Sequence, residues 1–348
     1  MALNVLTVVD WPEPGPWIWG DLPAHDDHYM IVSLSGVRFA RSSIERSTIV
    51  PLRYLWAGSR VLPRLSGYDV VFSWEVKCGL PIALYQTLTG RRHPRHVILG
   101  LIYKSVVARF PAAGRWIFSS LAGAVCFTRV ERDICCANLG LPPEHVHFMP
   151  LVWDVKEDEE SSPDEWDDYI LSVGSSNRDY RTLFQAAERV RRHFIVVARP
   201  YNVAGLAIPP NVELRLDLPS AEVTRLLRHA RLVVVPLCDT VYAAGQGVVL
   251  RAMSAARAVI VTRTPGIEDY VRHGETGLFV SPYNVEEMAA EIGHLLNSPE
   301  TTRQIGQCAR QEAVAQYSFA VLARRLSNLA QRLVIDGAPS AESGTGGR

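Results

Sequence analysis

The chain has 348 residues, too many for one ordinary hydrophobic core, so two domains are expected. Apolar residues make up 48% of it, and Lys+Arg equals Asp+Glu at 36 each, which fits a globular protein and excludes the basic excess of a nucleic-acid binder. The balance is uneven: residues 1–150 hold 15 basic and 11 acidic side chains, and residues 151–348 hold 21 and 25.

Read in chain order, short apolar runs alternate with helix-length segments. "NVLTVV", "YMIVSL", "DVVFSW", "HVILGL", "AVCFT" and "HVHFMP" read as buried strands, continuous in the way parallel sheets require. Helices are predicted over 51–65, 78–90, 105–121 and 129–139. The acidic stretch "DVKEDEESSPDEWDD" (154–168) has almost nothing to bury and reads as a linker. The alternation then restarts with "YILSVG", helix 180–192, "HFIVVA", "VELRLD", helix 220–229, "RLVVVPL" and helix 247–256. It continues through "AVIVT", "TGLFV" and helix 285–296, and closes with helices 300–316 and 318–333, the last opening at Ser318 as an N-cap. Strands alternating with helices predict βαβ units and doubly wound sheets. The expected organisation is a domain over 1–153, the linker, a second domain over 169–317, a closing helix over 318–334 that crosses back to the first domain, and a disordered tail over 335–348.

The six cysteines, including the adjacent Cys135 and Cys136, form no CxxC or metal-spaced cluster and mostly sit in apolar surroundings. Reduced core thiols point to the cytosol. The opening "MALNVLTVVDWPEP" lacks the basic and apolar regions of a signal peptide, and no run reaches about 18 apolar residues, so a cytoplasmic protein without a membrane span is expected. The histidines, among them His93, His96, His145 and His147, show no metal-ligand spacing on a helix, and no metal is expected.

Two strand-to-helix loops in the second half suit phosphate. One is "LSVGSSNRDYRTL", with Gly174, Ser175 and Asn177 before Arg178; the other is "AAGQGVVLRAM", with Gly245, Gln246, Gly247 and Val248 entering a helix that carries Arg251. A helix start presents unpaired amides and the positive end of its dipole, and glycines let an anion approach. In open α/β sheets, ligands bind outside the carboxyl ends of the strands, where both loops fall. Gly after a strand is also ordinary turn chemistry. Neither GxGxxG after the first strand nor GxxxxGK[ST] occurs, so the dinucleotide and P-loop fingerprints are missing.

The stretch "GQGVVLRAMSAARAVIVTRTPGIEDYVRHGETGLFVSPYNVEEMAAEI" resembles the donor-domain signature of GT-B glycosyltransferases of the family 4 type (glycosyl transferases group 1). "YILSVGSSNRDYRTLFQAAE" resembles that family's other loop, with Arg178 where its diphosphate-binding Lys falls. "AVCFTRVERDICCANLGLPPEHVHFMPLVWD" and "AQYSFAVLARRLSNLAQRL" resemble the segment ending its first domain and its final helix. The resemblance implies two Rossmann-like doubly wound domains facing a cleft. It further implies a retaining, metal- and cofactor-free transfer of sugar from a nucleoside-diphosphate sugar to an acceptor hydroxyl on a glycan, a lipid-linked molecule or a small molecule. Arg178 would stabilise the leaving diphosphate as a catalytic group. The family's two glutamates, eight positions apart, are replaced by Ala243 and Arg251, and its basic residue after the glycine by Ser175. Gln246 is then expected to bond the donor sugar or phosphate, Arg251 to meet phosphate or lie on a solvated helix face, and Asp239 to serve as a substitute carboxylate or a turn former. With both glutamates gone, a non-catalytic nucleotide-sugar binder or scaffold is the alternative reading.

In the first half, Trp74 and, approximately, Leu101 stand where family members carry a histidine near the donor sugar. Glu75, closing "DVVFSW", is the best-placed carboxylate for holding an acceptor hydroxyl, or else serves its helix dipole. Trp74, Tyr103 and Lys104 complete the acceptor candidates. "RRHPRH" (91–96), Lys104, Arg109 and Arg115 run close to Phe110, Trp116, Ile117 and Phe118. This mixture suits a peripheral contact with the inner face of a membrane, and buried helix residues with snorkelling arginines explain it too.

Overall fold

The structure is a computed structural model, and it describes residues 2–12, 17–22, 26–34, 50–101, 111–158 and 166–336. The candidates Tyr103 and Lys104, and the expected tail from 337 onward, lie outside the described residues. The chain divides into two compact units, one of residues 1–126, 132–148 and 323–348, the other of residues 127–131 and 149–322.

In the N-terminal unit, β1 (Asn4–Val9), β2 (His28–Ser33), β3 (Val70–Trp74), β4 (Arg95–Leu99), β5 (Gly123–Cys126) and β6 (Val146–Phe148) form a parallel sheet in the order β2-β1-β3-β4-β5-β6. The central strands are buried almost throughout because both faces of the sheet are covered. The crossovers include α1 (Val50–Ser59), α2 (Glu75–Thr89), α3 (Pro111–Phe118) and α4 (Arg129–Leu139), and α1 packs on α2, and α2 on α3. Right-handed crossovers that all run towards β6 place these helices on one face. Inside this unit Ser73 Oγ lies 2.8 Å from Nε2 of His96, both residues fully buried. Burial pushes the His96 pKa down to about 3, so the ring is neutral and its pairing with Ser73 is internal.

In the second unit, β7 (Ile170–Val173), β8 (Phe194–Ala198), β9 (Val212–Leu216), β10 (Leu232–Val235), β11 (Val259–Thr262) and β12 (Leu278–Val280) run parallel in the order β12-β11-β10-β7-β8-β9. The helices are α5 (Tyr180–Val190), α6 (Pro200–Val203), α7 (Ser220–His229), α8 (Gln246–Ser254), α9 (Val285–Asn297) and α10 (Pro299–Gln316). Alternate strand residues load two cores: Leu171, Val173, Val233 and Val235 pack with α7 and α8, while Ile170, Phe194, Leu232 and Val234 pack with α5 and α9. Asp179 starts α5 by accepting the Thr182 amide at 3.1 Å, and Asn284 starts α9 in the same way with Glu287. The last helix, α11 (Phe319–Asp336), joins the N-terminal unit from Ala323 onward, and Tyr29 donates to its Ser327 hydroxyl at 3.1 Å.

Of the acidic stretch 154–168, Val155–Asp158 forms a 3-10 turn with Val155 packed on the core of the second unit, and residues 159–165 lie outside the described residues. Within this unit the Trp153 amide donates to the Tyr317 carbonyl at 2.9 Å.

Candidate functional site

The sheet order of the second unit reverses between β7 and β10, since β8 and β9 lie to one side and β11 and β12 to the other. At such a switch point the loops leaving neighbouring strands diverge and open a crevice at their carboxyl ends. The loops that leave here are the two glycine-bearing loops of the sequence. They are joined by backbone pairing: Arg178 bridges Leu237, the Cys238 amide donates to the Asn177 carbonyl at 3.0 Å, and the Asp179 amide to that of Pro236 at 3.2 Å.

Gly174 leaves β7 at φ 130, and a Cβ there would lie 2.2 Å from Nη2 of Arg178. The absent side chain is therefore what lets the guanidinium fold back over the strand end. Arg178 is half-buried. Its Nη1 donates to the Ser176 carbonyl at 2.7 Å, and Nε and Nη2 donate to the Val173 carbonyl at 3.3 Å. Burial draws its pKa down, and no carboxylate pairs with it among the described residues, so a fixed positive charge stands uncompensated beside the switch point. Ser175 offers its carbonyl to Asn202 at 2.9 Å, and Asn177 holds the left-handed φ of 52 that turns the loop into α5.

Gly245 caps α8 at φ 86, wedged against Val235 and Leu237, whereas a Cβ on Gly247 would meet nothing within 4 Å. The Val248 and Val249 amides close on the Gly245 carbonyl, and those of Gln246 and Gly247 donate to nothing among the described residues. They are the orphan donors of a helix start, and the space beside Gly247 is open. The Gln246 side chain is buried and donates to the Gly266 carbonyl at 3.1 Å, so its amide nitrogen braces the loop. Asp239 is exposed, and its amide donates to the Tyr283 hydroxyl at 3.0 Å. Arg251 lies in the last turn of α8, with Nη2 2.5 Å from the Thr224 hydroxyl on α7 and the guanidinium 4.9 Å from the Trp153 ring centre. These contacts differ from both the phosphate and the solvated-face readings of this residue.

One residue of this site escaped the sequence reading. Glu131, only 2% exposed, accepts the Ala243 amide through Oε1 at 3.1 Å. Gly266 abuts the same segment, since a Cβ on it would lie 3.2 Å from the Tyr242 carbonyl oxygen. The loop is thus held from behind at the position where the resembling family has a glutamate. "TRVE" does carry a legible signal, a capping pattern in which the Thr128 hydroxyl accepts the Glu131 amide at 3.1 Å, but nothing in it points to residue 243. Nearby, Arg129 pairs with Asp269 at 3.0 Å, and the Tyr270 hydroxyl donates to the Phe127 carbonyl at 2.6 Å.

In the N-terminal unit, Glu75 opens α2 at a φ of 59, in the left-handed region that a glutamate rarely adopts. Lys77 Nζ lies 3.0 Å from its carboxylate and 2.6 Å from that of Asp10, which also accepts the Tyr54 hydroxyl at 3.0 Å. Burial opposes the Lys77 charge, but the Asp10 bond and the Glu75 attraction outweigh it and hold the ammonium above its ordinary pKa. Trp74 stands edge-on to Trp11 and Trp17, with ring centres 5.2–5.6 Å apart among the three. Asp10, Trp11, Trp17, Tyr54 and Lys77 were missed by the sequence reading. "VVDW" follows β1 as Glu75 follows β3, and the carboxyl-end rule applied to β1 would have found Asp10 and Trp11. Leu101 is buried in the core. Among the described residues no group of three or more His, Cys, Asp or Glu side chains is placed to hold a metal ion.

Two α/β units of this topology define the GT-B class. Two solved structures extend over nearly the whole chain: Anabaena HepE in complex with UDP (TM-score 0.66, 12% identity, 95% of this chain and 100% of that one) and the sucrose-phosphate synthase of Thermosynechococcus elongatus (TM-score 0.66, 15% identity, 96% and 89%). Residues 167–298, within the second unit, match the family model Glycosyl transferases group 1. The MMP alpha-(1->4)-mannosyltransferase of Mycolicibacterium hassiacum is 28% identical over 199 residues, which are 52% of this chain and 47% of that protein. The alpha-maltose-1-phosphate synthase of Mycolicibacterium smegmatis is 30% identical over 118 residues, 32% and 30% of the two chains. The chain thus spans about half or less of the length of these curated relatives.

Proposed function

We propose that the protein is a retaining glycosyltransferase that moves a sugar from a nucleoside-diphosphate sugar, bound at the β7/β10 switch point, to an acceptor hydroxyl. The observation that carries this reading is the convergence of an uncompensated Arg178 with the orphan amides of α8. Breaking the glycosidic bond leaves negative charge on the diphosphate, and catalysis requires positive groups fixed where that charge appears. Arg178 and the Gln246 and Gly247 amides are so fixed. They do the work that a divalent cation performs elsewhere, and we take the transfer to need neither metal nor cofactor. The family match and the names of the relatives support a sugar transferase, and UDP in the HepE structure supports a nucleotide donor.

The acceptor falls to the N-terminal unit. Carboxylates at Asp10 and Glu75 accept from hydroxyls, and the half-buried indoles of Trp11, Trp17 and Trp74 offer flat apolar surface beside them. That pairing suits a polyhydroxylated ring. Glu75 is the acceptor-side catalytic candidate, its charge balanced in the resting site by Lys77.

Thermal unfolding with a panel of nucleoside-diphosphate sugars, followed by chromatography of released nucleoside diphosphate, tests the reading. Binding at a hundredfold excess over Kd stabilises the fold by about 2.7 kcal/mol, well within reach of the method. One donor class should raise the midpoint and be cleaved slowly without acceptor. A midpoint shift with no cleavage, with or without sugar acceptors, would turn the reading to a nucleotide-sugar binder. No shift with any nucleotide at millimolar concentration would refute it.

A further inference from the structure

The end of the N-terminal unit remote from the Asp10–Glu75 cluster has an unusual surface. α1 leads through a 3-10 helix (Leu62–Gly67) into β3, α2 into β4 and α3 towards β5, so the carboxyl ends of three adjacent helices gather at the amino-terminal edge of the sheet. They are tied together there. Thr87 Oγ1 donates to the Ile117 carbonyl at 2.8 Å, and Arg92 Nη1 to the Ser119 carbonyl at 2.7 Å. A groove of about 380 Å³ lies between the 3-10 helix and the end of α2, lined by Leu62, Pro63, Tyr85, Arg91, Arg92 and His93 among others.

Two properties of this end coincide. Residues 50–68, 78–95 and 111–122 carry seven arginines and no aspartate or glutamate, and the next carboxylate in the chain, Asp69, is taken up by the Asn4 amide at 2.8 Å. Against that one-signed charge stand exposed apolar side chains, Trp56 at 63%, Leu88 at 65% and Trp116 at 52%. Each has arginine beside it: Arg60 stacks over the Trp56 ring at 3.9 Å, Arg91 and Arg92 follow Leu88, and Arg115 precedes Trp116. Charges facing the negative ends of three helix dipoles explain some arginines, but not the exposed indoles between them.

A protein interface gathers its apolar residues into one patch with a polar rim. Here they are spread over three helices, with Leu52 at 65% one turn before Trp56 on α1, and interleaved with cations, as interfacial residues are at a lipid headgroup layer. We propose that this end of the unit rests on an anionic lipid bilayer, with arginines on the phosphates, Trp56 and Trp116 at the headgroup level, and the Arg91–His93 groove taking one phosphate-bearing headgroup. Among the described residues no helix is long and apolar enough to cross a membrane, so the attachment is peripheral.

The test is sedimentation of the full chain with vesicles of phosphatidylcholine alone or with about a third phosphatidylglycerol, at low and high salt. Binding should require the anionic lipid and weaken as salt rises. Arg91→Glu with Arg92→Glu should lower partitioning about tenfold or more, since each basic side chain near such a surface contributes about a factor of five. Trp56→Ala with Trp116→Ala should lower it at unchanged charge, and thermal unfolding checks that both variants fold. Absence of binding to the anionic vesicles, or equal binding by the folded variants, would overturn the proposal. So would polyglutamate competing as well as vesicles in wild type and Trp variant alike, which would make the surface a dock for an acidic protein. Glycerol phosphate added in excess distinguishes headgroup capture in the groove, which it should reduce, from attachment by the bilayer surface as a whole. Nucleoside-diphosphate binding serves as an independent control, because the arginines exchanged lie in the other unit from the phosphate loops.

Discussion

Replacing Arg178 by alanine separates the two roles its position allows. As a brace, the guanidinium makes one short bond, 2.7 Å to Ser176, and two long ones of 3.3 Å to Val173. Losing them exposes two carbonyls and costs about 1–2 kcal/mol, a few degrees of melting temperature in a protein of this size. As the stabiliser of a leaving diphosphate, its loss should lower kcat about 10²- to 10³-fold, as loss of a fixed oxyanion donor does. Arg178→Lys keeps the charge without the fork and should recover part of kcat but little of the stability. Gly174→Ala supplies the decisive control, because its Cβ would stand 2.2 Å from Nη2 and must push the guanidinium out while leaving the charge in the molecule. It should reproduce the kcat loss, and the double variant should add little, since both act on one group. Released nucleoside diphosphate, measured at saturating donor, gives kcat, and scanning calorimetry gives the stability. If Arg178→Ala melts lower but turns over within threefold of wild type, the arginine is a loop brace only and the diphosphate lies elsewhere.

Glu131→Ala should leave the half-buried Ala243 amide without its acceptor, a penalty of about 1–2 kcal/mol, and weaken nucleotide binding about five- to thirtyfold; Glu131→Gln keeps an acceptor oxygen and should restore most of it, whereas equal loss in both variants would mean that the charge itself acts. His96 stays neutral in the fold down to about pH 3 but takes a proton near 6.5 when unfolded, so stability should fall as pH drops through that window, by about 2 kcal/mol at pH 5 relative to pH 8; denaturant titrations of His96→Gln should show a flatter acid limb, and an unchanged limb would refute the assignment. Arg251→Met should lower stability by about 1–2 kcal/mol through the lost Thr224 bond and Trp153 stacking, with donor Kd within threefold of wild type; a large change in Kd would return Arg251 to the donor pocket.

All twelve described strands lie in runs that were legible in the sequence; the inner ones are mostly apolar because a sheet covered on both faces buries every position, whereas the edge strands β2 and β9 carry exposed polar residues. The two glycine-bearing loops were legible for another reason: Gly174 and Gly245 hold positive φ values that fix the residue type. What stayed hidden depends on distant partners. Gln246 looks the same in sequence whether its amide meets a sugar or the Gly266 carbonyl twenty residues on. Arg251 turned from the helix start towards α7 because Thr224 and Trp153 lie there, neither of them near it in the chain. Helix 78–90 begins earlier, at Glu75, through a left-handed residue that no helix propensity anticipates.

The loop before α8 takes its shape from tethers that reach it from outside, at Glu131 and Gly266, and from the Gln246 amide. Of its own exposed and half-exposed side chains, Thr240 accepts the Tyr242 amide at 3.2 Å, whereas Val241 and Ala243 carry no polar group that could hold the backbone path. A segment held in that manner is mutable: residues at 241 and 243 can be exchanged while the frame that presents the Gln246 and Gly247 amides stays put. Under the proposed activity, descendants of such a chain would drift from one sugar to another without passing through unfolded intermediates, and a small combinatorial library at 241 and 243 is where directed changes of donor preference would begin.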